Sequence, residues 1–233
     1  MKLARLALLS LVAVFLASAP FMAYADDQPD NYISYTYAEG QAGLMSLKNT
    51  VPTGTGGSSS ETDTITMLGG DGSYGFDKLF DAGKYFDAQG AVLAGAGTVG
   101  GNTLSLGIFS AGVGAHAEFH PTLGAISGFI TAEEQSTAVS TSGFSSTSSS
   151  SLIVYGIKWM ILDSYEWDFY GTSQGGSSSS SSSSPVGGNS LNLQLTWIQH
   201  PNKPSYYFGG QYRHQSQSGS SSDTLFVVGG YRW

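Results

Sequence analysis

Ionisable side chains are few in this chain of 233 residues, of which 11% are charged. His116 and Glu118 lie two positions apart, as do Glu166 and Asp168. Residues at positions i and i+2 of a β-strand project from one face, roughly 7 Å apart. An imidazole beside a carboxylate can hold a metal ion, but the spacing supplies no third ligand. Asp71 follows two glycines as in a calcium-binding turn, without the further acids that such a site needs. We therefore predict no metal and no cofactor, and give His116 a structural hydrogen bond to a nearby acid.

A second pair with catalytic residue types is His214 and Asp223, which could meet across one hairpin. Serine is abundant, but a Ser–His–acid triad requires a specific geometry, and a chance match in so serine-rich a chain carries little weight. We predict that the protein is not an enzyme and that His214 is a solvated residue at a strand end. Five further acids are predicted to lie in the same half of the molecule as His214 and Asp223. They are Glu39, Glu61, Asp63, Glu133 and Glu134.

The elements that must position these residues are β-strands, because apolar and polar residues alternate through most of the chain. Residues 191–197 set three leucines and a tryptophan on one parity against asparagine, glutamine and threonine on the other. Serine runs bury too little apolar area to offset ordering, so they predict mobile loops. These runs are Ser58–Ser60, Ser145–Ser151, Ser177–Ser184 and Ser220–Ser222. Ten strands are predicted, at about 31–46, 61–76, 84–97, 102–119, 123–135, 151–161, 165–172, 190–199, 205–217 and 223–233.

The connections between these strands alternate between short turns and long, often serine-rich linkers, with one exception at residues 98–101. Outer-membrane barrels have short periplasmic turns, longer outer loops and both termini in the periplasm. The pattern predicts an all-β, antiparallel up-and-down transmembrane barrel of ten strands, with eight or twelve as alternatives. Aromatic residues cluster on the side of the short turns, and Tyr37, Tyr170 and Tyr212 are predicted to form a thinner opposite girdle. A soluble β-sandwich also alternates its strand faces and is the competing interpretation.

The first residues carry the features of an export signal. Lys2 and Arg5 precede an apolar run that is too short for a stable transmembrane helix. Ala23–Ala25 has the small-x-small pattern of a cleavage site. These features predict a signal peptide over residues 1–25 and a barrel domain over residues 26–233.

The last strand places Leu225, Val227 and Tyr231 on one parity and ends in Trp233. With the signal and the opening segment SYTYAEG, this ending resembles small Gram-negative outer-membrane β-barrel proteins. The resemblance implies location in the cell outer membrane and contact with its lipid and lipopolysaccharide. It also implies recognition of the terminal aromatic by the barrel-assembly machinery.

Composition excludes several function classes. The chain has no cysteine, so it has neither disulfides nor a lipoprotein anchor. Without the two basic residues of the signal, seven basic residues remain against seventeen acids, and this excess of negative charge argues against nucleic-acid binding.

If the apolar strand faces contact lipid, the opposite faces line a lumen. A lone charge there would be costly, so we predict a paired polar network that fills a narrow barrel. These features predict a non-catalytic structural or surface-interaction role with an unknown extracellular partner. The alternatives are a narrow passive channel for small polar solutes or cations, and an exported soluble β-sheet binding protein. The candidate lumen residues are Asp87, His116, Glu118, Glu133, Lys158, Glu166, Asp168, Arg213 and Arg232.

Overall fold

Ten antiparallel strands close into a single barrel, which confirms the predicted fold class and strand number. The computed structural model describes residues 33, 35–53, 57–76, 86–99, 101–119, 125–161, 164–175, 189–200, 203–217 and 220–233. In this part of the chain there is no helix long and apolar enough to cross a membrane. The strands are β1 (Tyr37–Thr53), β2 (Gly57–Gly75), β3 (Phe86–Val99), β4 (Asn102–Phe119), β5 (Ala125–Thr141), β6 (Phe144–Ile161), β7 (Tyr165–Gly175), β8 (Asn189–Ile198), β9 (Ser205–Gln217) and β10 (Ser220–Arg232).

Each strand pairs with its neighbours in sequence, and β10 closes the barrel by pairing with β1. Tyr37 lies opposite Arg232, so the first and last strand residues meet at one rim, called the terminal rim below. The β5–β6 turn at Ser142–Gly143 lies at the other end, called the distal rim. Closure leaves no sheet edge along the body of the barrel, because every strand there has two partners.

The two parities of each strand have opposite environments. On β10, Leu225 and Val227 are 65% and 73% exposed on the outer wall, while Phe226 and Val228 between and after them are 4% and 1% exposed in the lumen. The same alternation holds on β8, as predicted, where the leucine and tryptophan face is outside. Large apolar side chains are exposed on nearly every strand. Soluble monomers rarely expose an apolar surface that extends around the molecule in this way.

The outer wall changes from apolar to polar at the same height on neighbouring strands, as the pairing of β5 with β6 shows. Ala132 and Ile153 are cross-strand partners, and one step towards the distal rim the partners are Glu134 and Ser151. On β6 the apolar part from Ile153 to Ile161 covers nine residues, the length with which a tilted strand crosses a bilayer. The apolar belt therefore has the height of a hydrocarbon core.

The same boundary continues around the barrel onto β1 and β10. Leu44 and Leu225 are partners within the belt, and Ser46 and Asp223 are partners just beyond it. Exposed aromatic side chains lie near the terminal rim, as the predicted girdle requires. They include Phe86, Tyr165, Trp197 and Tyr206.

The predicted opposite girdle is wrong for two of its three members. Tyr212 is exposed on the outer wall, but Tyr37 and Tyr170 both line the lumen cavity. For Tyr37 the error came from starting the first strand at residue 31, whereas β1 begins at Tyr37 itself. Tyr37 therefore lies at the terminal rim and not at the distal end of its strand.

Three of the four predicted serine loops are wrong, because these residues lie in strands. Ser58–Ser60 belong to β2, Ser145–Ser151 to β6 and Ser220–Ser222 to β10. On β6 each residue of the run has a cross-strand partner on β5, from Ser145 opposite Ser140 to Ser151 opposite Glu134. The ladder satisfies the backbone groups, and the short hydroxyl side chains do not need burial, so composition alone misjudged them. The run Ser177–Ser184 lies outside the described residues.

The exceptional short connection predicted at residues 98–101 is a tight turn. Val99 pairs with Asn102, so only residues 100 and 101 connect β3 to β4. Gly101 has a φ of 79°, a left-handed conformation that glycine adopts without the steric cost of a Cβ atom.

Candidate functional site: the barrel lumen

The described side chains that could do chemistry face the lumen in layers, and the first layer lies near the terminal rim. Lys158 on β6 contacts two acids of β7, with Nζ 3.6 Å from Glu166 Oε1 and 3.3 Å from Asp168 Oδ2. Arg232 on β10 also contacts Glu166, at 3.4 Å. Lys158 and Asp168 are direct cross-strand partners. All four residues were predicted as lumen residues, and all four are buried in this paired arrangement.

Tyr35, just before β1, covers this charged layer. Its hydroxyl is 2.6 Å from Ser127 Oγ, and its ring lies 5.7 Å from Lys158 Nζ. Tyr35 and Ile33 also pack with Met160 and with three further residues from β5, β8 and β9. Ile33 and Tyr35 therefore fill the lumen at the terminal rim. The sequence prediction had assigned both residues to the first strand.

His116 and Asp87 contact each other in the lumen, at a distance longer than the hydrogen bond predicted for His116. His116 Nδ1 is 3.6 Å from Asp87 Oδ1, which is too long for a hydrogen bond, and this nitrogen has no hydrogen-bond partner. Instead, the imidazole stacks on Tyr35 with ring centroids 3.6 Å apart. Asp87 accepts a hydrogen bond from Ser73 at 3.1 Å. Glu118 lies on β4, but its side chain is outside the described set.

Two acids that line the cavity, the buried Glu39 and the half-buried Asp71, were missed as lumen residues. They are direct cross-strand partners on β1 and β2, so their side chains lie side by side. Glu39 accepts a hydrogen bond from Gln194 at 3.0 Å, and Asp71 accepts one from Gln41 at 3.4 Å. Glu39 was predicted for the distal half because its strand began too early. Asp71 was considered only as part of a turn, and its parity with Ser73 and Met67 was the signal that could have placed it.

Glu133 and Arg213 lie in the next layer towards the distal rim. Gln89 donates a short hydrogen bond to Glu133, and Ser110 is its second hydrogen-bond partner. Arg213 donates to Asn192 Oδ1 at 2.8 Å and lies 5.6 Å from the centroid of the Phe226 ring. Both residues were predicted to line the lumen, and both do.

Beyond Glu133 the lumen is apolar along one wall, which alternation alone did not predict. Buried apolar side chains of β1–β4 and β10 form a packed cluster that fills this side of the barrel. The opposite wall at β8 and β9 stays polar, with buried Asn192, Gln194 and Gln211. The cluster consists of Met45, Leu47, Ile65, Met67, Leu93, Leu104, Leu106, Ile108, Phe226 and Val228.

A cavity of about 200 Å³ remains between the charged layers and the apolar cluster. Its wall is acidic and partly apolar, with Leu93, Ile108, Leu152 and Val154 on one part of it. Six acids and three bases line it, so the lining side chains have a formal charge of −3. The acids are Glu39, Asp71, Asp87, Glu133, Glu166 and Asp168, and the bases are Lys158, Arg213 and Arg232.

The pair His214 and Asp223 meets as predicted, but on the outer surface. His214 Nδ1 is 2.8 Å from Asp223 Oδ1, and Tyr212 donates to the same oxygen at 2.6 Å. Asp223 lies beyond Leu225, outside the apolar belt, and the hydrogen bonds from Tyr212 and His214 hold the pKa of its carboxyl below the usual value. The three side chains are solvated at the edge of the belt, so this is a surface polar cluster.

Among the described residues there is no group of three or more His, Cys, Asp or Glu side chains that could hold a metal ion. Glu39 and Asp71 form one inward pair of carboxylates, and Glu166 and Asp168 form another, which Lys158 contacts.

No protein-family model and no curated protein matches the chain. Several solved barrels resemble its structure. The attachment invasion locus protein Ail of Yersinia pestis is 11% identical, with 85% of this chain and 99% of that chain covered and a TM-score of 0.34. Neisserial surface protein A is 12% identical, with 84% and 97% covered and a TM-score of 0.32. The translocator domain of the autotransporter NalP from Neisseria meningitidis is 11% identical, with 96% and 97% covered and a TM-score of 0.31.

Proposed function

We propose that this protein is a non-catalytic barrel of the outer membrane whose distal wall makes contacts at the cell surface. In this orientation the terminal rim faces the periplasm and the distal rim faces outwards, as in other barrels with both termini inside. The apolar belt contacts the hydrocarbon core, and the polar part of the outer wall stands in the lipopolysaccharide and the medium.

The observation that carries the proposal is the height of the wall that β4, β5 and β6 form. These strands contain 17 or 18 residues. Because about 9–11 residues cross a bilayer, this wall extends well beyond the membrane. On β6 the part beyond the belt runs from Phe144 to Leu152.

This projecting part is a paired sheet with a polar surface. Thr141 and Phe144 close the β5–β6 hairpin, and Leu104 of β4 pairs with Thr141 on the other side of β5. Phe144 is 57% exposed at the tip. A large apolar side chain at such a position lowers solubility but can bind a partner. A paired sheet is pre-organised, so a partner that binds it would lose little free energy to ordering.

The filled lumen supports a surface role over passive conduction. Ile33 and Tyr35 fill the terminal rim, and the apolar cluster of β1–β4 and β10 fills one side near the distal rim. A path for hydrated ions would have to displace the packed side chains at the terminal rim. A soluble role is disfavoured because residues such as Val227 and Leu225 would be exposed to water.

The pairing of the first and last strands suggests a partner in assembly. The last strand closes against β1, and the amide of Trp233 donates to the Thr36 carbonyl at 3.1 Å. We propose that the barrel-assembly machinery binds the unpaired β10 before this closure. Outer-membrane lipid and lipopolysaccharide then surround the finished outer wall.

The test uses a shortened β5–β6 hairpin. Removing Ser140, Thr141, Phe144 and Ser145 while keeping the turn Ser142–Gly143 brings the partners Val139 and Ser146 to the tip. The proposal predicts that this variant still migrates as a folded, heat-modifiable barrel from purified outer membranes. The proposal predicts that cells expressing the complete protein aggregate or adhere to epithelial cells, and that cells expressing the shortened variant do neither.

The matched control is the single substitution Ser142→Ala, which changes the turn and leaves the length of the hairpin unchanged. It should adhere like the complete protein. Steady conductance in planar bilayers, with equal adhesion by cells that lack the protein, would replace the proposal with the passive channel. Release of the protein by osmotic shock without detergent would overturn the membrane location.

A further inference from the structure

The lumen holds more negative charge than its own bases compensate. Lys158 and Arg232 are committed to Glu166 and Asp168. Of the four other acids that line the cavity, Asp87 contacts His116. Among the described residues, no basic side chain lies within 4 Å of the other three, Glu39, Asp71 and Glu133. Buried carboxylates without a cation are costly, and a bound positive charge would offset that cost.

Two buried amide oxygens beside these acids also lack a donor. Gln41 and Gln211 are 8% and 5% exposed, and the Oε1 atom of each has no hydrogen-bond partner. The orientation of Gln41 is set, because its Nε2 donates to Asp71. Gln211 likewise uses its Nε2 on the Tyr170 hydroxyl. Both residues line the cavity, so two acceptors there await N–H or O–H donors.

The same cavity has an apolar part next to the acids. Leu152 is the cross-strand partner of Glu133, and Leu93 and Ile108 are partners of each other one layer further on. All of them line the cavity. A ligand that fits this wall therefore carries apolar surface as well as charge, and a bare ion would leave the apolar part unused.

We propose that the lumen cavity binds a small organic cation, an ammonium group with a compact apolar body. The ammonium donates to Glu133 or Asp71 and to the free oxygens of Gln41 and Gln211. The apolar body rests against Leu93 and Leu152. A metal ion fits less well, because the described residues offer no group of three His, Cys, Asp or Glu ligands. The volume of about 200 Å³ suits a ligand smaller than a drug-sized molecule.

The test is calorimetric titration of the folded full-length protein in detergent micelles with 2-phenylethylammonium chloride. The uncharged analogue 2-phenylethanol and heat-denatured protein in the same micelles control for partition into detergent. The proposal predicts saturable binding of the ammonium that is at least tenfold tighter than that of the alcohol. Equal binding of the two compounds, or no saturable binding, would overturn it.

Two neighbouring glutamates provide a matched pair of variants. Glu133 faces the cavity, while Glu134 is exposed on the outer wall and bonds Ser151. Glu133→Gln should weaken ammonium binding at least tenfold, and Glu134→Gln should change it less than twofold. If both variants keep heat-modifiable migration and bind equally, the site is not in the lumen and the proposal fails.

Two further measurements separate the charged and apolar parts of the site. Leu152→Ala should weaken binding of 2-phenylethylammonium several-fold while leaving methylammonium unchanged. Calcium chloride should compete no better than sodium chloride at equal ionic strength. Stronger competition by calcium would assign a metal site and overturn the organic-cation proposal.

Discussion

Two sides of the barrel line the same lumen with different chemistry. The side formed by β1–β4 and β10 fills the lumen with apolar side chains such as Met67 and Leu106, which are 1% exposed. The side formed by β8 and β9 faces the lumen with Asn192, Gln194 and Arg213. The outer surfaces of both sides are apolar over a membrane-sized belt. The difference teaches that an apolar outer face does not determine whether the inward face of the same strand is polar or apolar.

The charged layer near the terminal rim connects β6, β7 and β10, and breaking it should have the largest effect. Lys158→Met would leave Asp168 without a cation and Glu166 with Arg232 alone. Removing one partner of a buried ion pair costs about 3–5 kcal/mol. We expect a loss of that size in urea-induced unfolding of the barrel in lipid vesicles.

The control for this prediction is Lys48→Met on the outer surface, where Lys48 is exposed. Its effect should stay within about 0.5 kcal/mol, as for surface substitutions in general. Restoring stability in the double variant with Asp168→Asn would show that the unpaired charge is the cause. An equal loss in both lysine variants would contradict the account.

The apolar cluster of β1–β4 and β10 should be the next most sensitive region. Leu106→Ala removes a side chain packed in the cluster and should cost about 2–5 kcal/mol, as truncations in packed cores do. Leu225→Ala on the lipid-facing surface creates no internal cavity, and we expect a smaller loss there. Unfolding by urea measures both, and a larger loss for Leu225→Ala would invert the assignment of inside and outside.

The belt itself can be tested with a charge. Val227→Arg places a cation among lipid-facing residues, and arginine near the bilayer midplane costs a barrel about 2–4 kcal/mol. Thr147→Arg, on the polar part of β6, should cost little because that side chain is exposed beyond the belt. The yield of folding into vesicles compares the two variants. Equal yields would contradict the boundary between the apolar belt and the polar part of the outer wall.

The smallest expected effect concerns pH and the surface cluster at Asp223. Its pKa is lowered in the folded barrel by Tyr212 and His214, so its stabilisation is present above the usual pKa of aspartate. That stabilisation is lost as the pH falls through the lowered value. Because the pair is exposed, it contributes at most about 1 kcal/mol. Asp223→Asn should therefore narrow the stability difference between pH 7 and pH 3, and an unchanged difference would argue against these hydrogen bonds.

The sequence predicted the barrel, its ten strands and most lumen residues because a period of two survives in every membrane-crossing segment. Ile153 to Trp159 and Leu191 to Trp197 show it plainly, and parity then placed Lys158 and Asn192 inside. What failed were positions where composition outweighed parity. Ser145–Ser151 suggested a loop although its residues pair in β6. Asp71 lay within the strand predicted over residues 61–76, but it was weighed only as part of a calcium-binding turn and not as a lumen residue.

The apolar cluster in the lumen was not predicted for a related reason. On β1 and β2 the distal residues are apolar on the inward parity, at Met45 and Ile65, and polar on the outward parity, at Ser46 and Thr64. The strands thus exchange their polar and apolar faces where they leave the belt. A single rule for each strand, apolar outside and polar inside, cannot describe both halves.

The most direct test of the central claim compares two positions on one face of one strand. Thr147 and Ile157 both face outwards on β6, beyond and within the apolar belt respectively. Because the chain has no cysteine, Thr147→Cys and Ile157→Cys each introduce a single thiol. In intact cells a membrane-impermeant maleimide should label the first variant and leave the second unlabelled until the barrel is denatured. Labelling of Ile157→Cys in intact cells, or protection of both positions, would contradict a membrane-spanning belt beneath a projecting wall.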